Sequence, residues 1–290
     1  MKKILSISLV IILAFAMLAG CGAKDSGTDS DSGNGAAEVT GTVVTAGSTS
    51  VQPLSEELAA AFMDANPGIT VEVQGGGSGQ GIKAIEEKIA DFGALSRGVK
   101  DEEKASVAQQ YEIAKDGVAV IVNPETKVGD LTLDQIRKIY TGEIKNWKEV
   151  GGDDAPIVVV SREEGSGTRG AFTEITKVMV KNEAGEEIDQ TTKDALVQGS
   201  TGAVMQTVAS TPNTIGYVSL GSLADTVKAL KVEGVAPSVD TVLSGEYKIQ
   251  RPFIYITGGD LSEAAQKYID FVMSDEGQSI VEENGFIKVK

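Results

Sequence analysis

The stretch IVVVSREEGSGTRGAF, residues 157–172, passes from an apolar run through a turn of glycines and hydroxyl residues into an amphipathic segment. The four consecutive β-branched residues predict a strand that is buried on both faces. Gly165 and Gly167 interrupt that strand, and the pattern over 170–180 is typical of a helix. A buried strand that leads through a short turn into a helix is the building unit of α/β proteins.

The same order of elements recurs along the chain. Thr132 and Gln135 form a capping-box pattern at the start of one predicted helix. The predicted strands lie at 42–45, 69–73 and 118–122, and the predicted helices at 54–66, 78–90, 131–140 and 261–273. This alternation predicts an α/β fold with largely parallel sheets.

Two other strand-to-helix turns resemble the one at 165–168 in composition. They read AGSTS at 46–50 and GGGSGQG at 75–81. A helix N-terminus presents free N–H groups and partial positive charge, and glycines let a ligand approach the backbone closely. If the three turns converge, they form a cradle for an anion, and Arg162 is placed to grip two of its oxygens.

The amino-acid composition argues against several classes of function. The formal net charge is −16, which argues against nucleic acid as a partner and requires any anion site to work through local geometry. The absence of histidine removes His-based triads and His metal sites. Ser166 lacks the G-x-S-x-G frame of a nucleophile, and we expect no catalytic residue, no metal and no cofactor.

The N-terminal segment has the features of an export signal. Lys2 and Lys3 precede an apolar run at 4–18, which is short for a membrane span. The following Leu18-Ala19-Gly20-Cys21 resembles the lipobox of bacterial lipoproteins. We therefore expect a signal peptide at 1–20, a lipid anchor on Cys21 at the extracytoplasmic face of the cell membrane, and a flexible Gly/Ser/Asp tether at 21–38.

The chain resembles the PstS family, the phosphate-binding proteins of bacterial ABC phosphate importers. The matching segments are GSTSVQPL (47–54), GGGSGQGI (75–82), DFGALSR (91–97), LTLDQIRKIYTGEIKNWKEVGG (131–152), SREEGSGTRGAF (161–172), NTIGYVSLG (213–221) and RPFIYIT (251–257).

This resemblance implies a two-lobed periplasmic-binding-protein fold of type II. The ligand would lie in the cleft between the lobes, which a two-stranded hinge would join. Lobe 1 would comprise 39–120 plus 251–290, and lobe 2 would comprise 121–250. The partners would be inorganic phosphate, an ABC permease and its ATPase.

The resemblance also assigns roles to individual residues. Thr49, Ser50 and Ser78 would donate hydrogen bonds to phosphate from lobe 1. Glu164 would orient Arg162. The donors from lobe 2 would be Arg162, Ser166, Gly167 and Thr168.

The chain departs from one family pattern at Ser96, which is followed by Arg97. Some family members have an aspartate at the position of Ser96. A carboxylate there would accept the proton of phosphate and reject fully ionised anions. Ser96 can donate or accept, so it would select less strictly. Arg97 would either add positive charge to the site or pair with a neighbouring acid.

Other functions remain open from sequence. The first is a binding protein for another tetrahedral oxyanion, such as sulfate, molybdate or tungstate. The second is an enzyme, such as a phosphate-ester hydrolase, and the third is a surface adhesin or signalling protein.

Overall fold

The structure is a computed structural model and describes residues 39–290. The predicted signal peptide, Cys21 and the tether lie outside these residues. No helix in the described part of the chain is long and apolar enough to cross a membrane.

Thirteen strands are present among residues 39–290. They are β1 (Gly41–Gly47), β2 (Ile69–Gly75), β3 (Phe92–Leu95), β4 (Gln109–Val122), β5 (Asp130–Leu131), β6 (Val158–Arg162), β7 (Met179–Lys181), β8 (Glu187–Asp189), β9 (Leu196–Gln198), β10 (Thr214–Ser219), β11 (Lys228–Ala229), β12 (Lys231–Val232) and β13 (Gln250–Thr257).

Eight α-helices and three short 3₁₀ segments accompany the strands over the same residues. The helices are α1 (Gln52–Ala65), α2 (Ser78–Glu86), α3 (Leu133–Tyr140), α4 (Gly167–Ile175), α5 (Thr201–Ser210), α6 (Val239–Leu243), α7 (Glu263–Val272) and α8 (Asp275–Glu283). The 3₁₀ segments are Asp101–Ser106, Trp147–Val150 and Leu220–Ser222.

Nine strands form one sheet, in the order β2-β1-β3-β13-β4-β10-β6-β9, with β11 also paired to β4. The pairs toward the two ends of this order are parallel: β1 with β2 and β3, and β6 with β10 and β9. The central pairs are antiparallel: β13 with β3 and β4, and β10 with β4. The predicted α/β class is confirmed, but the sheet is mixed because β13 runs opposite to β3 and β4.

The two largest hydrophobic clusters among the described residues, which we call the first and the second core, meet along β4. The first draws its residues from 43–114 and 253–286, and the second from 118–249 together with Ile287. Ile113 and Ala114 belong to the first core, whereas Val118 and Val120 belong to the second. The strand β4 is therefore a shared element that holds the two cores together.

Several element boundaries differ from the sequence prediction. Ser166 Oγ accepts a hydrogen bond from Arg169 N at 3.2 Å, and this cap starts α4 at Gly167 rather than residue 170. The capping box of α3 is confirmed, with Gln135 N to Thr132 Oγ1 at 3.1 Å and Thr132 N to Gln135 Oε1 at 2.9 Å. The strand β4 begins at Gln109, nine residues before the predicted start at 118.

Candidate anion-binding site

The first predicted turn lies between β1 and α1. Gly47 ends β1 with φ of +141°, and a Cβ there would lie 2.3 Å from the carbonyl oxygen of Ala94, so only glycine fits. Ser48 N donates to the same Ala94 oxygen at 2.8 Å. Ser50, two residues before the start of α1, is fully buried, so its hydroxyl lies inside the protein.

The second predicted turn lies between β2 and α2 and is joined to the other two. Gly77 N donates to Gly47 O at 2.9 Å, and Gly79 N donates to Gly165 O at 2.9 Å. Gly77 has φ of +92°, which favours glycine at this position. Ser78, the first residue of α2, is completely buried. The three predicted turns therefore converge.

The hydroxyls of these turns form one hydrogen-bonded group. Ser50 Oγ lies 2.8 Å from Thr168 Oγ1 and 3.0 Å from Thr201 Oγ1. Ser48 Oγ donates to Ser96 Oγ at 2.8 Å, and Ser96 N donates to Ser78 Oγ at 3.1 Å. We name this group the hydroxyl cluster; its members are Ser48, Thr49, Ser50, Ser78, Ser96, Thr168 and Thr201.

The guanidinium of Arg162 donates hydrogen bonds to two hydroxyls of the hydroxyl cluster. It ends β6 and is only 2% exposed. Its Nη2 donates to Thr49 Oγ1 at 3.1 Å, and its Nη1 donates to Thr201 Oγ1 at 3.3 Å. The structure thus places Arg162 beside the three turns, where the sequence predicted it.

Glu163, and not the predicted Glu164, holds Arg162. Glu163 Oε2 accepts from Arg162 Nε and Glu163 Oε1 accepts from Arg162 Nη2, both at 2.8 Å. Glu164 is exposed. The prediction failed because β6 ends at Arg162, so the chain turns there and Glu163 is the carboxylate that reaches the guanidinium.

The backbone N–H and carbonyl of Arg162 also make hydrogen bonds. Its N–H donates to the Tyr217 hydroxyl at 3.2 Å, and its carbonyl accepts from Arg169 Nη1 at 2.8 Å. Burial raises the pKa of Tyr217 to about 12, so this hydroxyl stays protonated at neutral pH. These bonds hold the backbone of Arg162 in place at the end of β6.

Thr201 is a member of the hydroxyl cluster that the sequence prediction missed. It opens α5 and follows β9 through Gly199-Ser200, and Ser200 Oγ caps the helix by accepting from Ala203 N at 3.1 Å. This is a fourth strand-to-helix turn of the same composition. Extending the Gly/Ser/Thr criterion to 199–202 would have identified it.

Four helices therefore begin at the hydroxyl cluster: α1, α2, α4 and α5. Each N-terminus adds partial positive charge and free N–H groups. Gly167 lets two of these ends meet, because a Cβ there would lie 2.1 Å from Ser78 Oγ and 2.7 Å from Ser96 Oγ. Ser166 is buried beside it, and its hydroxyl caps its own helix by accepting from Arg169 N.

Ser96 lies at the end of β3 in contact with a buried ion pair. Its carbonyl accepts from Arg251 Nη1 at 3.3 Å. Arg251 Nε and Nη2 both donate to Asp116 Oδ2, at 3.0 and 2.9 Å, and Ser219 Oγ donates to Asp116 Oδ1 at 2.9 Å. Burial raises the pKa of Asp116, and the bonds from Arg251 and Ser219 oppose that rise.

Arg97 pairs with an acid, and within residues 39–290 its side chain makes no hydrogen bond to a hydroxyl of the cluster. Its Nη1 and Nη2 donate to the two carboxylate oxygens of Glu103 at 2.7 and 2.5 Å, and Nη1 also donates to Gly98 O. Burial alone would raise the pKa of Glu103, but these bonds hold it below its usual value. Of the two expectations for Arg97, the structure shows the ion pair.

The arrangement suits an anion and offers little to a cation. It combines one guanidinium, seven hydroxyls and four helix N-termini, all of which can donate hydrogen bonds. No group of three or more acidic or cysteine side chains that could hold a metal ion occurs within residues 39–290.

Comparison with known proteins shows which families the chain is similar to. A model of the PBP superfamily domain matches residues 32–276. The phosphate-binding protein PstS of Bacillus subtilis is 35% identical over the whole of this chain and 95% of its own length. PstS of Borreliella burgdorferi is 31% identical, with both chains covered completely.

Solved structures give the same result. A candidate phosphate ABC transporter substrate-binding protein from Clostridium perfringens, solved with bound phosphate, superposes with a TM-score of 0.81 and 43% identity, covering 86% of this chain and all of that one. A phosphate transport receptor of the ABC type from Vibrio cholerae gives a TM-score of 0.70 and 32% identity, covering 84% and 99%. The chain belongs to the PBP superfamily and, within it, to the PstS family of phosphate-binding proteins.

Proposed function

We propose that this protein captures inorganic phosphate at the hydroxyl cluster and delivers it to an ABC transporter. The observation that carries the proposal is the meeting of Arg162 with the hydroxyl cluster at four helix N-termini. These groups come from chain segments more than 150 residues apart, such as Thr49 and Thr201. Only the fold brings them together.

The proposed binding relies on uncharged groups that donate hydrogen bonds to the anion at short range. The chain carries a formal charge of −16, so the overall field repels an anion. Hydroxyls and helix N-termini stabilise the bound anion through oriented dipoles that act only within the site. Arg162 adds a fixed fork of donors, and Glu163 holds that fork in place.

The ligand-binding set that we propose is Thr49, Ser50, Ser78, Ser96, Arg162, Ser166, Gly167 and Thr168, to which we add Thr201. Arg97 belongs to this set only if its pairing with Glu103 is exchanged for the ligand. The role is binding and not catalysis, as the names of the relatives describe.

We further propose that the two cores are two lobes joined at β4 and β13. The lobes would comprise 39–120 plus 251–290 and 121–250. The antiparallel pairing of these strands, with Arg251 opposite Asp116, supports the position of the hinge. The hydroxyl cluster draws on residues of both proposed lobes, which is what a cleft between them requires.

Delivery requires a permease and an ATPase at the membrane, and the lipobox at Leu18–Cys21 supplies a means of staying there. We propose that Cys21 carries a lipid on the extracytoplasmic face. Cys21→Ala is then expected to move the protein from the membrane fraction to the medium while the released protein binds phosphate unchanged. A variant that stays in the membrane fraction contradicts the anchor.

Isothermal titration of phosphate-free protein with phosphate tests the binding function. We expect saturable binding at one site per chain. Incubation with a chromogenic phosphate ester tests the alternative of a hydrolase, and we expect no turnover. Absence of phosphate binding, or turnover of the ester, would overturn the proposal.

A further inference from the structure

The strand β6 is paired to different lengths with its two neighbours. Its pairing with β10 ends at Val159, whereas its pairing with β9 continues to Arg162. Glu163 N donates to Gln198 O of β9 at 3.2 Å, so the alternation along a strand turns the N–H and carbonyl of Arg162 away from β9. The backbone of Arg162 therefore faces the side on which the ladder with β10 has already ended.

Two side chains supply hydrogen bonds on that side. The Tyr217 hydroxyl accepts from Arg162 N at 3.2 Å, and Arg169 Nη1 donates to Arg162 O at 2.8 Å. Arg169 lies in the first turn of α4, the helix that begins at the hydroxyl cluster, and its side chain is 18% exposed. The side chain of Arg169 thus ties the end of β6 to the start of α4.

Asp189 holds the same guanidinium at its Nε. Asp189 Oδ2 accepts from Arg169 Nε at 2.7 Å, and Asp189 Oδ1 accepts from the N–H and the hydroxyl of Thr191 at 2.8 and 2.5 Å. Burial raises the pKa of Asp189, but the hydrogen bonds from Thr191 and Arg169 outweigh burial and hold that pKa below its usual value. The carboxylate is therefore ionised at neutral pH, with both oxygens accepting hydrogen bonds.

The position of Asp189 in the chain makes this ion pair a link within the site. Asp189 ends β8, which pairs with β7 in a two-stranded sheet apart from the large one. This hairpin lies in the connection from α4 to β9, and β9 leads into α5 with Thr201. The pair of Arg169 with Asp189 thus joins Arg162 and α4 to the segment that carries the chain to α5.

We propose that Arg169 and Asp189 are positioning residues for phosphate binding: Asp189 orients Arg169, and Arg169 fixes the backbone of Arg162 and with it the direction of the Arg162 guanidinium. This inference rests on the proposed phosphate-binding function and adds two residues that act through Arg162. A guanidinium makes its two-pronged contact only when its plane is aligned with the oxygens of the anion. Without the anchor, the charge stays but its alignment is lost.

Charge alone makes the opposite prediction for one of the two residues. Arg169 is positive, so its removal weakens the binding of an anion whether it acts by position or by charge. Asp189 is negative, so by charge alone its removal would strengthen anion binding. If Asp189 acts by positioning, its removal weakens binding instead.

Asp189→Asn therefore decides between the two effects. The amide has one acceptor oxygen where the carboxylate has two, so it cannot serve both Arg169 and Thr191. We expect calorimetric titration at neutral pH to show phosphate affinity about three- to tenfold weaker than that of the wild type. Asp194→Asn, the control, removes the same charge from an exposed position on the same connection and should leave affinity unchanged or slightly tighter. Wild-type or tighter binding by a folded Asp189→Asn would overturn the inference.

A double-mutant cycle tests the route through Arg162. Arg169→Met keeps most of the length of the side chain but removes its donors, and we expect it to weaken phosphate binding about tenfold. In an Arg162→Ala background the same change should cost less than about twofold, because no guanidinium is left to position. Equal losses in both backgrounds would mean that Arg169 acts independently of Arg162, which contradicts the inference.

The remaining outcomes separate the inference from the proposed function. Thermal melting checks that each variant is folded, and the cycle decides if Asp189→Asn is not. If Arg169→Met does not fold, Arg169→Lys takes its place in the cycle, because an ammonium cannot reproduce the fork that reaches both acceptors. Failure of the wild type to bind phosphate would overturn the proposed function and the inference with it. Wild-type binding together with undiminished binding by the folded variants would overturn the inference alone.

Discussion

At the scale of the residue, Arg162 illustrates how a charge is kept in a buried site. Its side chain is 2% exposed, so the charge must be satisfied by protein groups. Glu163 takes one edge of the guanidinium, and Thr49 and Thr201 accept from the other. The two threonine oxygens occupy the directions from which a bound anion would accept the same hydrogens.

Arg162→Ala is expected to weaken phosphate binding about ten- to a hundredfold, because a charge-assisted hydrogen bond contributes about 1.5–3 kcal/mol. Arg162→Lys should restore only part of this loss, because an ammonium cannot make the two-pronged contact. Calorimetric titration measures both. Arg137→Ala, which removes a partly exposed arginine from α3, is the control. Equal affinity of Arg162→Ala and the control would exclude Arg162 from the site.

Gly167→Ala is expected to abolish tight binding. The added methyl would stand 2.1 Å from Ser78 Oγ and 3.0 Å from Ser78 Cβ, so the two helix ends could not meet around a ligand. Gly202→Ala is the matched control, because it also lies in the first turn of a helix at the cluster and its methyl meets nothing within 4 Å. Titration with phosphate distinguishes the two. Unimpaired binding by Gly167→Ala would show that the contact is not needed.

The sequence predicted those site residues whose side-chain type is enough to indicate a role in binding an anion. Arg162 and the glycines and hydroxyls of the three turns are such residues. The choice between Glu163 and Glu164 could not be made, because two adjacent glutamates give the same pattern and only the backbone direction after β6 separates them. Thr201 was missed although its turn carries the same signature.

At the scale of the element, β4 contributes to both cores and pairs with β13. Arg251 lies opposite Asp116 in their antiparallel register, and both side chains are 1% exposed. The same arginine reaches the carbonyl of Ser96 at the end of β3. The ion pair between Asp116 and Arg251 therefore connects the paired strands β4 and β13 to Ser96 of the hydroxyl cluster.

Asp116→Asn is expected to lower the free energy of unfolding by about 3–5 kcal/mol, because it leaves the buried guanidinium of Arg251 without a countercharge. Urea unfolding measures the change. Asp134→Asn, which breaks exposed ion pairs on α3, is the control and should cost less than about 1 kcal/mol. A loss in Asp116→Asn no larger than that of the control would mean that the pair is not a structural link.

Sequence patterns could not predict the ion pair between Asp116 and Arg251. Asp116 and Arg251 are 135 residues apart, and neither position carries a local signal of pairing. The first half of β4, residues 109–117, was likewise not predicted, because its polar residues interrupt the apolar run that identified 118–122. By contrast, the capping box at Thr132 is a local device, and the structure confirms it.

At the scale of the whole molecule, the position of the hydroxyl cluster connects binding to shape. Ser50 precedes α1 in the first core, whereas Thr168 lies in the first turn of α4, which packs in the second core through Phe172. The hydrogen bond between their hydroxyls thus joins groups from both cores. A ligand that bonds to both sides replaces this direct contact and favours the conformation in which the cores are close.

Phosphate is therefore expected to compact the protein and to raise its melting temperature as its concentration rises, because it binds the closed folded form. Small-angle scattering with and without phosphate measures the first effect, and a thermal shift series measures the second. Gly167→Ala, in which the helix ends cannot meet, should show neither. Identical wild-type scattering curves at confirmed saturation would contradict closure. A thermal shift without compaction would mean that the site is preformed and that the strands β4 and β13 do not act as a hinge.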